Sequence, residues 1–295
     1  MNTEATKLIG FIGQGFIGKH MADDFVRRGY DVVRYALEEP YVQNKPDLIH
    51  CSMIFIAVPT PTTPEGFDAS ILEAVLTDIT AGTIVVIKST MVPGMTARLQ
   101  TTFPDLILLH SPEFLREKHA AKDTAAPERT IIGLPTESAK YKQAADLVRS
   151  VLPESPYTTI CNASEAELIK YGGNNFLALK VIYMNMLYDM ATATGARYEV
   201  VAKALAADSR IGDSHMQVID SSGHKGAVPG RGAGGHCFPK DLAAFVTAYQ
   251  SELPTDTKGI ALWEAIAAKN NELLTSSGKD LDLLTDIYGA DQVHL

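Results

Sequence analysis

Six short runs in the first half of the chain are apolar without polar alternation: Lys7–Ile12, Asp31–Tyr35, Met53–Val58, Thr83–Ile87, Leu106–Leu109 and Thr130–Gly133. A strand with one solvated face alternates, whereas a strand covered on both faces stays apolar throughout. Between these runs lie stretches with helical spacing of apolar residues, notably Phe16–Arg28, Ser70–Thr80 and Glu137–Val151. Alternation of the two patterns predicts an α/β unit whose parallel sheet is sandwiched between helices. The segment between Tyr35 and Met53 is short and carries Pro40 and Pro46, so no full strand–helix unit is expected there.

The pattern changes near Cys161. From Ala163 to about Thr194 one helical period continues without proline. Ser164 and Glu167 fit a capping box at its start and Gly195 fits its stop. Such a helix would be roughly 45 Å long, enough to link two domains. Beyond it the chain reads as helical, interrupted by a glycine-rich loop from Ser221 to Gly235. The expected division is therefore residues 1–160 as the sheet domain and 161–295 as an all-helical central domain.

Gly13-Gln14-Gly15-Phe16-Ile17-Gly18 follows the first strand and opens the first helix. In a GxGxxG turn the first glycine makes the tight turn and the second lets backbone approach a pyrophosphate. The third lets helix and strand pack closely, and the helix N-terminus faces the phosphates. At the first strand of a βαβ pattern this predicts a Rossmann doubly wound parallel sheet that binds a dinucleotide. An acidic residue normally ends the second strand to receive the ribose of NAD, and Val32–Leu37 has none. Glu38 and Glu39 come late, and Arg34 is a candidate for a 2′-phosphate, so NAD is the first choice and NADP an alternative.

Candidate chemistry gathers in three places. In Gly234-Gly235-His236-Cys237-Phe238-Pro239-Lys240-Asp241, Pro239 suits a helix start and Cys237 falls just before it, where the dipole favours a thiolate. Lys240 adds positive charge and Asp241 a carboxylate, a set suited to covalent chemistry on a carbonyl. A cysteine is more often a small buried hydrophobe, but the glycines and charges around Cys237 argue against that. On the long helix, Lys170 and Asn174 are four apart and share a face, as a pair of oxyanion donors would. The third group sits at predicted strand ends: Val58-Pro59-Thr60, Lys88-Ser89-Thr90, and Ser111-Pro112-Glu113-Phe114-Leu115-Arg116-Glu117.

Composition narrows the partners. The 26 Lys+Arg against 35 Asp+Glu leave a net charge of −9, which argues against nucleic acid or an anionic membrane as partner. No apolar run is long enough to span a bilayer. Three scattered cysteines and no CxxC pair point away from a disulfide framework or metal site and toward a reducing, cytoplasmic setting.

Together GQGFIG, FIAVPTP, KSTMVPG, SPEFLRE, LIKYGGNNFLALK, DSRIG and GGHCFPKD resemble, in order, the UDP-glucose/GDP-mannose dehydrogenase family. The resemblance implies an NAD-dependent, two-step oxidation of a primary alcohol to a carboxylate on a nucleotide-sugar. It implies that Cys237 forms a thiohemiacetal and then a thioester, and that Lys170 and Asn174 stabilise the oxyanion. Asp241 would position water or relay a proton, Glu113 would assist hydrolysis, and Thr90 would lie near the nicotinamide or the water. Cofactor contacts would come from Gly13–Gly18, Arg34, Val58–Thr60, Ser89, Thr90, Glu117 and Lys240. Substrate contacts would come from Glu113, Phe114, Leu115, Lys170, Asn174, Gly234, Cys237 and Arg210, the last across a dimer interface. The chain departs from the family in Ala233, where an aromatic is usual, and in ending near where a third, C-terminal domain would begin.

Two other readings remain open at this stage. Lys170 and Asn174 alone also fit a two-electron β-hydroxyacid-type dehydrogenase, and the chain could be a non-catalytic cofactor-binding module. The apolar residues Phe176, Leu177, Val181, Met184 and Leu187 on the long helix predict a homodimer through it.

Overall fold

The structure is a computed structural model that describes residues 8–116, 119–224 and 226–290. It contains two compact units. The first comprises the chain up to Thr60 together with Asp68–Lys170, and the second comprises Pro61–Phe67 and Tyr171 onward.

The first unit is built on a seven-stranded sheet in the order β2-β1-β3-β6-β7-β8-β9. Its strands are β1 (Ile9–Ile12), β2 (Val32–Tyr35), β3 (Met53–Ile56), β6 (Ile84–Ile87), β7 (Ile107–His110), β8 (Arg129–Leu134) and β9 (Tyr157–Asn162). All four residues of β1 and of β3 are buried, as their unbroken apolar runs require. The first five strands in the sheet order pair in parallel, with Ile9 facing both Val32 and Met53. β8 joins β7 through an antiparallel bridge, His110–Gly133, and β9 runs parallel to β8. β9 escapes sequence reading because its residues are half-buried or exposed, as befits an edge strand without an apolar run. Helix α1 (Phe16–Arg27) lays Met21, Ala22 and Phe25 on the sheet, where Phe25 meets Phe11 and Phe55.

The abbreviated segment after β2 is a 3₁₀ helix, Val42–His50, with Pro46 inside it. No helix–strand unit is inserted there, so β1 pairs on one side with β2 and on the other with β3.

Helix α6 (Ala163–Ala193) is the long helix, and the compact units divide within it, between Lys170 and Tyr171. Its start differs from the expected box. Asn162 is the cap: its Oδ1 accepts from Ser164 N–H, and Glu165 Oε2 accepts from Asn162 N–H. Glu167 is instead fully buried and caps another helix, α3 (Met95–Thr102). It accepts from Gly94 N–H (2.6 Å), Thr96 N–H (2.8 Å) and Thr96 Oγ1 (2.6 Å). The stop at Gly195 is as expected, with Ala196 N–H closing onto Ala191 C=O.

The second unit contains the rest of α6 and helices α7 (Tyr198–Ala206), α8 (Phe238–Glu252), α9 (Thr257–Ser277) and α10 (Leu281–Tyr288). It also takes in, from earlier in the chain, a β-hairpin of β4 (Thr62–Thr63) and β5 (Gly66–Phe67), while the named elements of the stretch beyond residue 163 are helices as expected. Ile182 of α6, Leu242 of α8 and Leu273 of α9 share one buried cluster, with Phe245 edge-on to Trp263.

Candidate active site

At the carboxyl edge of the sheet the first unit holds Gly13–Gly18, Val58–Thr60, Ser89 and Thr90 of the expected cofactor residues, whereas Lys240 belongs to the second unit. Gly13 has φ +87°, and a β-carbon there would meet the Ala57 carbonyl oxygen at 2.3 Å. A β-carbon at Gly18 would overlap the Gly13 carbonyl, so these positions accept only glycine. Gly15, the N-cap of α1, has open space around it and no side-chain cap, which leaves the first-turn N–H groups facing outward. An open cradle at an uncapped helix N-terminus fits a pyrophosphate. Phe16 and Ile17 open the helix, and the Gln14 amide donates to the carbonyls of Phe11 and Gly13. The neighbouring loops are tied together: Ser89 Oγ donates to Val58 O at 2.7 Å and Thr60 Oγ1 to Thr90 O at 2.8 Å, on either side of Pro59. Arg34 is engaged elsewhere, its guanidinium 2.6 Å from Asp23, and that pairing weakens the case for a 2′-phosphate.

The loop after β7 forms a second cluster in this unit. Lys170 Nζ donates to Glu113 O at 2.5 Å and lies 5.5 Å from the Phe114 ring, whose face Arg129 also covers. Lys88 is buried and reaches Ser111 Oγ (3.2 Å), Pro112 O (3.5 Å) and Glu113 Oε2 (3.5 Å). Burial holds the Lys88 ammonium below the ordinary lysine range, and the Glu113 carboxylate works against that. His110 beside it is fully buried; burial and the Lys88 charge push it down to about 3, so its ring is neutral. Leu115 is half-buried, and Glu117 lies outside the described residues.

Arg116 anchors the far end of this loop on Asp123, with Nε at 2.9 Å and Nη2 at 2.7 Å. The side-chain bonds from Arg116 hold the Asp123 carboxyl down at about 2. A carboxyl depressed on folding contributes stability above its unfolded pKa and loses it as pH falls through the folded one. Asp123→Asn should therefore cost at most about 1 kcal/mol near neutrality, since Arg116 is solvated. Urea melts of the two proteins should converge as pH falls from about 4 toward 2, and an offset independent of pH would contradict the pairing.

In the second unit Cys237 is the N-cap of α8 and is exposed, with Pro239 inside the first turn. Asp241 N–H closes the turn onto Cys237 O at 2.9 Å, which puts the carboxylate one turn beyond the sulfur-bearing residue. Asp241 is fully buried and accepts from Asn174 Nδ2 and from Lys240 Nζ, both at 2.5 Å. Burial opposes the charge on Lys240, but Asp241 and Cys237 outweigh it and hold the ammonium above its ordinary range. The Lys240 carbonyl accepts from Thr62 Oγ1 of the hairpin. Arg210 is exposed and paired with Asp208 at 2.6 Å.

Thus Lys170, Glu113 and Phe114 meet in one unit, and Asn174, Lys240 and Asp241 meet in the first turn of α8 that Cys237 caps. The Asn174 amide donor is directed at Asp241, a pairing that the i,i+4 reading with Lys170 did not anticipate. Sequence reasoning also assigned no role to Lys88, although a lysine closing the apolar run Ile84–Ile87 is a visible signal of a buried cation.

Residues 164–272 match the UDP-glucose/GDP-mannose dehydrogenase family, central domain, and residues 41–151 match the same family's NAD binding domain. The class is that of dehydrogenase families built on an NAD-binding Rossmann domain. The chain belongs to the UDP-glucose/GDP-mannose dehydrogenase family. It is 28% identical to a UDP-glucose 6-dehydrogenase of Haloferax volcanii over 83% of this chain and 66% of that protein. It is 31% identical to the UDP-glucose 6-dehydrogenase of Rhizobium meliloti over 77% of this chain and 52% of that one. The solved UDP-glucose dehydrogenase of Pyrobaculum islandicum superposes with a TM-score of 0.77 at 26% identity, covering 94% of this chain and 71% of that one. The chain thus spans between about half and two thirds of the length of these two curated relatives.

Proposed function

We propose that this chain carries out an NAD-dependent, four-electron oxidation of a primary alcohol to a carboxylate on a nucleotide-sugar, with Cys237 as nucleophile. The observation that supports it is an exposed cysteine capping α8, with Lys240 and Asp241 in the same first turn. A helix N-terminus and a nearby ammonium both favour the thiolate form. NAD, when bound, supplies the acceptor for two successive hydrides. The Cys237 sulfur adds to the aldehyde carbon and forms a thiohemiacetal. Loss of the second hydride from that carbon leaves a thioester, which water cleaves to carboxylate and free thiol. Lys170 has the charge to hold the developing oxyanion, Glu113 the carboxylate to draw a proton from the water, and Asp241 to relay one. Thr90 and Ser89 line the cofactor edge. A cytoplasmic setting belongs to the same reading, because the sulfur must stay reduced.

A panel of nucleotide-sugars with NAD and with NADP tests this, reading reduced cofactor and acid product together. Two NADH per carboxylate is the expected count. One NADH per substrate, with an aldehyde or ketone as product, would replace the reading with two-electron chemistry.

We also infer a homodimer through α6, on a face that keeps Phe176 of the expected set but not Met184 or Leu187. Met184 is buried in the second unit and Leu187 packs beside it. Phe176, Leu179, Tyr183, Met186 and Met190 remain exposed, at alternating spacings of three and four residues. That spacing forms a single apolar stripe, as a helix seam between two copies requires. Tyr183→Glu with Met186→Glu should convert the protein from dimer to monomer by sedimentation at micromolar concentration. A wild-type protein that sediments as a monomer would contradict the inference.

A further inference from the structure

The loop that leads into Cys237 lies flat against the end of α9 and the Gly278–Asp280 turn that follows it, all within the second unit. A β-carbon at Gly234 would fall 2.2 Å from Asp280 Oδ2 and 2.7 Å from Lys279 Cε. At Gly234, where the family resemblance implies a substrate contact, the space a side chain would take is filled by the chain's own Asp280 and Lys279. Asn270 of α9 bonds both the N–H and the C=O of Ala233, at 2.8 and 3.0 Å. Lys279, itself buried, donates to Gly232 O at 3.0 Å.

Asp280 holds the last part of the loop. Its Oδ2 accepts from Gly235 N–H at 2.7 Å, and its Oδ1 meets Ser222 Oγ and His224 Nε2, each at 2.9 Å. The His224 ring in turn packs on the His236 ring, centroids 5.0 Å apart. Asp280 therefore reaches both residues before Cys237, Gly235 directly and His236 through His224. Its side chain is fully buried, and its backbone takes the left-handed conformation at φ +54°. Aspartate adopts that conformation more readily than most residues, and here it stands at the N-cap of α10. Residue 280 also lies beyond the stretch that matches the family's central domain, which ends at 272.

We propose that Asp280 is a positioning residue for Cys237: it clamps Gly235 and His236 and so sets where the sulfur stands at the N-terminus of α8. The inference rests on the reading of Cys237 as the nucleophile. The clamp acts through bond direction, so its loss misplaces the sulfur without removing any reacting atom. A misplacement of about 1 Å costs a covalent step on the order of 100-fold.

Asp280→Ala, Asp280→Asn and His224→Gln test it. The first readout needs no turnover: the rate of iodoacetamide alkylation of Cys237 at pH 7, followed by peptide mass spectrometry. Burial pushes the thiols of Cys51 and Cys161 up to about 11, so they react slowly there. Asp280→Ala should alkylate roughly tenfold more slowly, its kcat for acid formation should fall on the order of 100-fold, and its KM should stay within about threefold. Asp280→Asn should restore most of the rate, because the amide oxygen can still accept from Gly235 N–H while the NH₂ faces Ser222 and His224. His224→Gln removes only the second route and should show a smaller loss of the same kind. If Asp280→Ala does not fold, His224→Gln decides. A wild-type alkylation rate in Asp280→Ala, or in His224→Gln where Asp280→Ala does not fold, would overturn the proposal. A wild-type protein that shows the alkylation pattern but makes no carboxylate would overturn the dehydrogenase reading and leave the clamp standing.

Discussion

Replacing Cys237 by serine should lower carboxylate formation by roughly 1,000-fold or more while leaving the fold intact. Serine keeps the size and the N-cap position, but its hydroxyl is a far weaker nucleophile near neutrality. Neither the thiohemiacetal nor the acyl intermediate would then form. The residue is exposed, so the change in stability should stay within about 0.5 kcal/mol. Binding of NAD to the first unit should be unaltered, since Cys237 belongs to the second. The measurement is acid product by mass spectrometry, with NAD binding followed in parallel. An undiminished yield of acid would remove covalent catalysis from the account.

Removing the carboxylate of Asp241 should have the other large effect, on both activity and stability. Asp241 is fully buried and receives the Asn174 amide and the Lys240 ammonium. Asp241→Ala leaves a largely buried cation and an amide without their acceptor, which costs about 3 kcal/mol and should show as an earlier midpoint in urea. Asp241→Asn keeps the shape and removes only the charge. It should cost less stability, yet lower acid formation by on the order of 100-fold if the carboxylate relays a proton. Two variants equal in stability and in rate would mean that the group acts only as a packing element. A stable but slow Asp241→Asn separates the chemical role from the structural one.

Much of the first unit is readable from local pattern. β1 and β3 are buried on both faces, so their composition alone betrays them, whereas β9 is an edge strand with no such run. The GxGxxG turn is legible because steric demands at Gly13 and Gly18 admit one residue type. The capping of α6 was misjudged by two residues because Ser164 and Glu167 have the right spacing, and only the fold reveals that Glu167 is drawn away to Gly94 and Thr96. The exposed stripe of α6 is not legible in sequence for a related reason. A helix apolar on more than one side offers several candidate faces, and burial of Met184 decides among them.

The chain's own order of residues determined the strand–helix alternation, the phosphate-cradling turn, and the placing of Cys237 at the head of a helix. Each depends on neighbours a few positions away, where steric limits and helix geometry act directly. Tertiary structure alone decided that Asn174 serves Asp241, that Lys88 holds the strand-end loop, and that Asp280 bears on the approach to Cys237. Those pairs lie 67, 23 to 25 and 45 to 58 positions apart, bonded as they are between Asn174 and Asp241, from Lys88 to Ser111 and Glu113, and from Asp280 back to Gly235 and Ser222. A buried polar group takes whichever partner the fold brings within bonding distance, and no local pattern encodes that choice.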